Sequence, residues 1–135
     1  MITQELSRPR PDPSERFAAP EHCINLLTIK SKLLTEPIPA EHGHRQETIY
    51  KTRTLTIATF VFAKDASLPE HVTTGVVMIQ VIDGRISVTT HSRTYEMTPG
   101  EVLVLGPKVQ HTVTANEQSQ MLLTVDLSDP VALPF

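Results

Sequence analysis

One cysteine in 135 residues cannot close an intrachain disulfide, so no such cross-link supports this fold. Cys23 lies in an apolar run with no partner base nearby, which suits a small core residue better than a nucleophile. Long apolar runs are also missing. None is long enough to span a bilayer, and the N-terminal MITQELSRPRPDPSERF has no apolar signal core. Together with the lone thiol, this leads us to expect a cytoplasmic protein without membrane contact. A basic excess is absent too: 12 Lys and Arg stand against 15 Asp and Glu, giving a net charge of −3, which argues against nucleic-acid binding. The chain has no phosphate loop, no G-x-S-x-G and no dinucleotide fingerprint. Internal repeats and low-complexity tracts are likewise lacking. What remains is a globular composition, 39% hydrophobic and 20% charged, of a length that can bury one core.

Residues 1–21 carry Pro9, Pro11, Pro13 and Pro20 among charged and small side chains and are expected to form an extended or disordered arm, or one lying across a partner subunit. The next stretch, 22–36, satisfies two patterns. Leu26, Ile29 and Leu33 match a helical face, whereas Ile24-Asn25-Leu26 and Thr28-Ile29-Lys30 also suit a strand; we favour a short helix or mixed segment, ended by Pro37 and Pro39. Residues 1–47 are thus an arm with a partly helical element.

From Thr48 the pattern is β. The expected strands are Thr48–Lys51, Thr54–Phe62, Gly75–Ile82, Arg85–His91, Thr94–Met97, Val102–Leu105, Gln110–Ala115 and Met121–Leu127. Leu55, Ile57, Thr59 and Val61 alternate with Thr56, Ala58, Phe60 and Phe62. Both faces of that strand are therefore largely apolar, and it needs cover from a core on one side and a second layer or partner on the other. Asp83-Gly84 between two β-branched runs signals a hairpin, and Pro99-Gly100 a second turn. The span 48–127 has the signature of a sandwich or barrel, and the tail 128–135 should run over the surface.

The stretch from Leu68 to Val113 carries a more specific pattern. His71 lies six residues before Val77 and thirteen before Gly84, and Gly100 lies eleven before His111. Over Phe62–Leu127 the chain resembles the cupins, small jelly-roll barrels recognised by G-x5-H-x-H-x3-4-E-x6-G and G-x5-P-x-G-x2-H-x3-N. The resemblance implies an all-β, double-stranded β-helix, with three histidines and a glutamate converging on one divalent metal (Zn, Ni, Mn or Fe). On this register His71 and His111 take histidine positions and should point into the same end of the barrel. Thr73 replaces the second histidine and Val77 the glutamate, while Gly106-Pro107-Lys108 replaces Pro-x-Gly and Ala115 the Asn.

Two imidazoles make a poor metal site, since stable sites take three or four ligands. His71 and His111 then read either as neutral, hydrogen-bonded pocket histidines or as the remnant of a metal set. His42-Gly43-His44 is the nearby supply of a third ligand, His44, although the same stretch suits a solvated loop. Alternation places Val77, Ile79 and Val81 on one face and Met78 and Gln80 on the other, so that His71, Thr73 and His111 add a few polar groups to an apolar lining. Glu70 points away from the cavity if His71 points in, and His22 and His91 read as surface residues.

The expected function is a non-catalytic small-molecule-binding or sensory module with a reduced metal site. A metal-dependent oxygenase or isomerase completed by a ligand outside the motifs is the second reading, and a purely structural interaction barrel the third. The two-faced strand and the proline-rich arm also lead us to expect a homodimer.

Overall fold

The computed structural model describes residues 16–37 and 40–128, with the backbone alone at Glu41 and His71. The expected arm thus lies outside the described residues up to residue 15, and the tail from residue 129.

The ambiguous stretch is a helix, α1 (Leu26–Leu34). Asn25 starts it by accepting the backbone N–H of Thr28 at 3.0 Å, a capping bond that a strand would not make. Ile29 and Leu33, four residues apart, share its buried face and pack on Val61, with Ile49 at the margin. Cys23 precedes the cap and is exposed, contrary to the core position expected of it, because the burying face begins only at Ile29. Among the described residues no helix is long and apolar enough to cross a membrane.

Among the described residues nine strands follow: β1 (His44–Lys51), β2 (Leu55–Phe62), β3 (Ser67–His71), β4 (Val76–Asp83), β5 (Ile86–Thr90), β6 (Thr94–Met97), β7 (Val102–Leu105), β8 (His111–Ala115) and β9 (Ser119–Asp126). A five-stranded sheet runs β1-β2-β9-β4-β7 and a four-stranded sheet β3-β8-β5-β6, and their pairings are antiparallel. Side chains alternate across each strand. Ala58, Phe60 and Phe62 of β2, Val77, Ile79 and Val81 of β4, Ile86 and Val88 of β5, and Val113 and Ala115 of β8 therefore meet in one apolar core. The opposite face of β2 places Val61 under α1, so the chain itself supplies the second cover that this strand requires.

Three features differ from the sequence pattern. β3 was not expected as a strand because Pro69 interrupts it; as an edge strand it tolerates a residue with no N–H to donate. β1 begins at His44 rather than Thr48, pairing His44 with Phe62. Asp83-Gly84 joins no hairpin, since β4 pairs with β7 and β9 while β5 lies in the other sheet. The glycine signal reported a backbone need correctly, with φ of 85° at Gly84, but the need arises at a corner where the chain changes sheets. Pro99-Gly100, with φ of 92° at Gly100, makes the second such corner between β6 and β7.

Polar contacts fasten α1 across the five-stranded sheet. Lys32 pairs with Glu47 at 2.8 Å and Lys30 with Asp83 at 2.6 Å. The Lys30 hydrogen bond holds the Asp83 carboxyl below the usual aspartate range. Beneath the helix start, buried Gln120 donates to the Leu26 carbonyl at 3.0 Å and to the Thr59 hydroxyl at 3.1 Å. Arg16 donates to the Thr48 carbonyl at 2.7 Å, and Phe17, His22 and Tyr50 pack edge-to-face beside it, so His22 is exposed but not idle.

The two corners should respond differently to an added methyl. At Gly84 a Cβ would overlap the Ser119 hydroxyl and the Gln118 carbonyl oxygen, whereas at Gly100 it meets nothing within 4 Å. Gly100→Ala should cost about 1 kcal/mol from its positive φ alone, and Gly84→Ala at least about 2 kcal/mol. Urea unfolding of the two variants measures the difference, and equal losses would show that the Gly84 corner relaxes freely.

Candidate functional site

Strand β8 sets the site's centre. His111, Val113 and Ala115 are buried and alternate with half-buried Thr112 and Thr114, so the His111 ring belongs to the core face. Its Nδ1 lies 3.0 Å from the Val109 carbonyl. A carbonyl oxygen can only accept, so Nδ1 carries a proton. Opposite His111 in the ladder to β5 stands Thr90, and opposite it in the ladder to β3 stands His71. His71 is the last residue of β3. The register brings the two histidines, 40 residues apart in sequence, to facing positions.

The positions between them hold no ligands. Thr73 lies beyond β3 in a turn, where its hydroxyl accepts from the Gly75 N–H at 3.0 Å and donates to the Gly75 carbonyl at 3.1 Å. The Thr73 carbonyl accepts the Lys108 N–H at 2.8 Å, which stitches the two motif loops together. Lys108 occupies the glycine position of the second motif yet keeps a left-handed φ of 66°. The turn's shape is therefore retained without the residue that adopts it freely. Val77, at the glutamate position, is 2% exposed and packed with Ile79 and Val81 in the apolar core.

His44 opens β1 with its ring 5.9 Å from that of Phe60 and 5.8 Å from that of Phe62, two core phenylalanines. It is a strand residue on the core side and not part of a solvated loop. His42 is exposed in the preceding turn, with φ of 55°, so the H-x-H pair does not share a strand face; the two rings stack at 6.4 Å. Among the described side chains no three of His, Cys, Asp and Glu come together as a metal set. A turn hydroxyl and a core valine in place of histidine and glutamate do not fit the divalent metal that the motifs imply.

Outside the ring of His111, the lip of the four-stranded sheet holds a polar groove of about 210 Å³. Glu70, Thr89, Thr90, His91, Gln110 and Thr112 line it together with His111. Glu70 and His91 are exposed there, as their places in the sequence suggested. Thr90 escaped notice, although the alternation Ile86, Val88, Thr90 sets it on the face of His111. Asp126, at the far end of β9, is held below the usual aspartate range by hydrogen bonds from the hydroxyl and backbone N–H of Ser128.

Comparison with known proteins follows the same outline. The family described as Cupin domain matches residues 58–127. No curated protein matches the chain. Among solved structures, a cupin superfamily protein from Desulfitobacterium hafniense superposes with a TM-score of 0.63 at 18% identity, covering 67% of this chain and 84% of its own. KdgF from a Halomonas species gives 0.62 at 18% identity, with 68% of this chain and 87% of that one covered. A salicylate 1,2-dioxygenase from Pseudoaminobacter salicylatoxidans gives 0.62 at 20% identity over 74% of this chain and 31% of its own. At these identities the structures share the fold alone. The family match spans more than half of the chain, the two antiparallel sheets enclose one core between them, and the motif histidines face each other across β3 and β8: the chain belongs to the cupins.

Proposed function

We propose that this cupin is a non-catalytic, small-molecule-binding or sensory module whose ligand enters the barrel mouth beside His111. The observation that carries the reading is the fate of the two vacated positions. Val77 is sealed in the apolar core and the Thr73 hydroxyl is committed to Gly75, so neither serves a metal. What the mouth offers is the ring of His111 and the facing position of His71, beside the groove lined by Glu70, Gln110 and Thr112. A concave site whose polar groups can orient a ligand is the general form of a small-molecule site. A thermal-shift screen run in chelator tests this. A ligand at a hundredfold excess over its dissociation constant should add about 2.7 kcal/mol, and His111→Leu should abolish the gain. A gain that appears only when a divalent metal is added would reject the metal-free reading.

The second reading is a metal-dependent oxygenase or isomerase completed by a ligand outside the motifs, such as His44. It is favoured by the position of the His44 ring against Phe60 and Phe62 on the core side of β1. The shared fold with a salicylate 1,2-dioxygenase keeps this chemistry in view.

Rebuilding the motif separates the two. Thr73→His with Val77→Glu should restore four ligands with His71 and His111. In chelator the new carboxylate sits in an apolar core and should cost at least about 2 kcal/mol. Burial raises its pKa, so the variant should lose stability as pH rises past the ordinary glutamate value and regain it in acid. Zinc, nickel or manganese should then raise its melting temperature well beyond any response of the wild type. If neither protein responds to metal, these positions do not converge and the motif register is wrong.

A further inference from the structure

We propose a second binding site outside the barrel, in the cleft between the C-terminal end of α1 and the adjoining ends of β1 and β2, and that it takes a small monocarboxylate with an apolar body. Size is the first argument for this cleft. It encloses about 500 Å³, against about 220 Å³ for the cleft between β6 and β7 and about 210 Å³ for the groove beside His111. Small-molecule sites run from roughly 300 to 1,000 Å³, a range that holds this cleft.

Its walls are fixed by the fold. Val61, 3% exposed, belongs to the face of β2 that points away from the Phe60–Phe62 core, so the cleft lies on the opposite side of the sheet from the His111 mouth. Leu34, 45% exposed, overhangs from the end of α1, which is held down by the burial of Ile29 and Leu33 and by the Lys32–Glu47 pair. Ala40 and Ala63 complete the apolar lining. The Ala63 N–H donates to the Gly43 carbonyl at 2.9 Å, which ties the turn before β1 to the end of β2. Backbone hydrogen bonds and helix packing thus shape the cleft in advance of any ligand.

Charge sets the ligand's sign. Arg45 stands opposite Val61 in the β1–β2 ladder, hence on the same outer face, and it pairs with Glu36 at 3.6 Å. Lys64 also lines the cleft and makes no ion pair among the described residues. Among the described side chains no Asp or Glu is part of the lining, and Gln118 adds an amide that can donate to a carboxylate oxygen. With Arg45 balanced by Glu36, Lys64 is the remaining charge among the described lining side chains, beside four aliphatic ones. An apolar acid satisfies both: its body meets Leu34, Ala40, Val61 and Ala63, and its carboxylate meets Lys64 and Gln118.

Titration of the 15N-labelled chain with 4-phenylbutyrate tests the proposal, followed through backbone amide shifts. The expected result is saturable shifts at Gly43, Ala63, Lys64 and Gln118. Lys64→Glu should weaken binding by at least about tenfold, equivalent to about 1.4 kcal/mol, and the neutral 4-phenyl-1-butanol should lose a similar factor. Ala63 is exposed, so Ala63→Phe fills the cleft without entering the core and should abolish the shifts in a protein whose other resonances are unchanged. Three outcomes overturn the proposal: shifts that do not saturate, equal affinity in Lys64→Glu, or shifts centred on His111 and Thr112. The last would place the acid in the barrel mouth, so failure here is distinguishable from failure of the mouth as a site.

Discussion

Strand β2 has to bury both of its faces, and much of the architecture follows from that requirement. Ala58, Phe60 and Phe62 point into the space between the two sheets, while Val61 points out and must be covered by Ile29 and Leu33 of α1. Burying side chains of this size is worth roughly 1.5–3 kcal/mol each, so neither face can be left to water cheaply. The polar residues on the outer face are accommodated in turn. Thr59 donates to the Met121 carbonyl at 3.1 Å, and Gln120 bridges Thr59 to the helix start. One strand thus positions the core that seals Val77 and the helix that roofs the outer cleft.

How much of this was legible in the sequence depended on whether the signal was local. The alternation in β2 announced two buried faces, and Val77, Ile79 and Val81 were correctly placed on one side of β4, because alternation is a property of the strand itself. The helix was undecided because Leu26, Ile29 and Leu33 serve either pattern; the Asn25 cap and the contact with Val61 decide it, and the second of these is tertiary. Gly84 was recognised as a turn glycine, yet its partner strand was not. Positive φ is demanded by the residue's own backbone, whereas pairing is set by which sheet receives the next strand. β3 was hidden by Pro69, and the start of β1 by the glycine of His42-Gly43-His44.

The site divides along the same line. Motif spacing brought His71 and His111 into correspondence, and the β3–β8 ladder faces them across adjacent strands. The spacing also identified Thr73 and Val77 as the departures. It could not say that the Thr73 hydroxyl closes on Gly75, or that Lys108 holds a glycine's conformation while its N–H binds the Thr73 carbonyl. The bond from Lys108 to Thr73 joins loops distant in sequence. The cleft beside Lys64 was invisible for the same reason, since α1, β1, β2 and the turn before β9 each contribute only one or two of its residues.

The central claim is that a cupin barrel with a core valine and a turn threonine at two ligand positions retains no tightly bound metal at its mouth. Metal content of the protein purified without a metal-affinity step, measured by plasma mass spectrometry after dialysis into metal-free buffer, tests this most directly. The account predicts zinc, nickel, manganese and iron far below one equivalent per chain. Close to one equivalent of a single metal, lost on His111→Ala, would contradict it and bring forward the reading in which His44 or another residue completes the site.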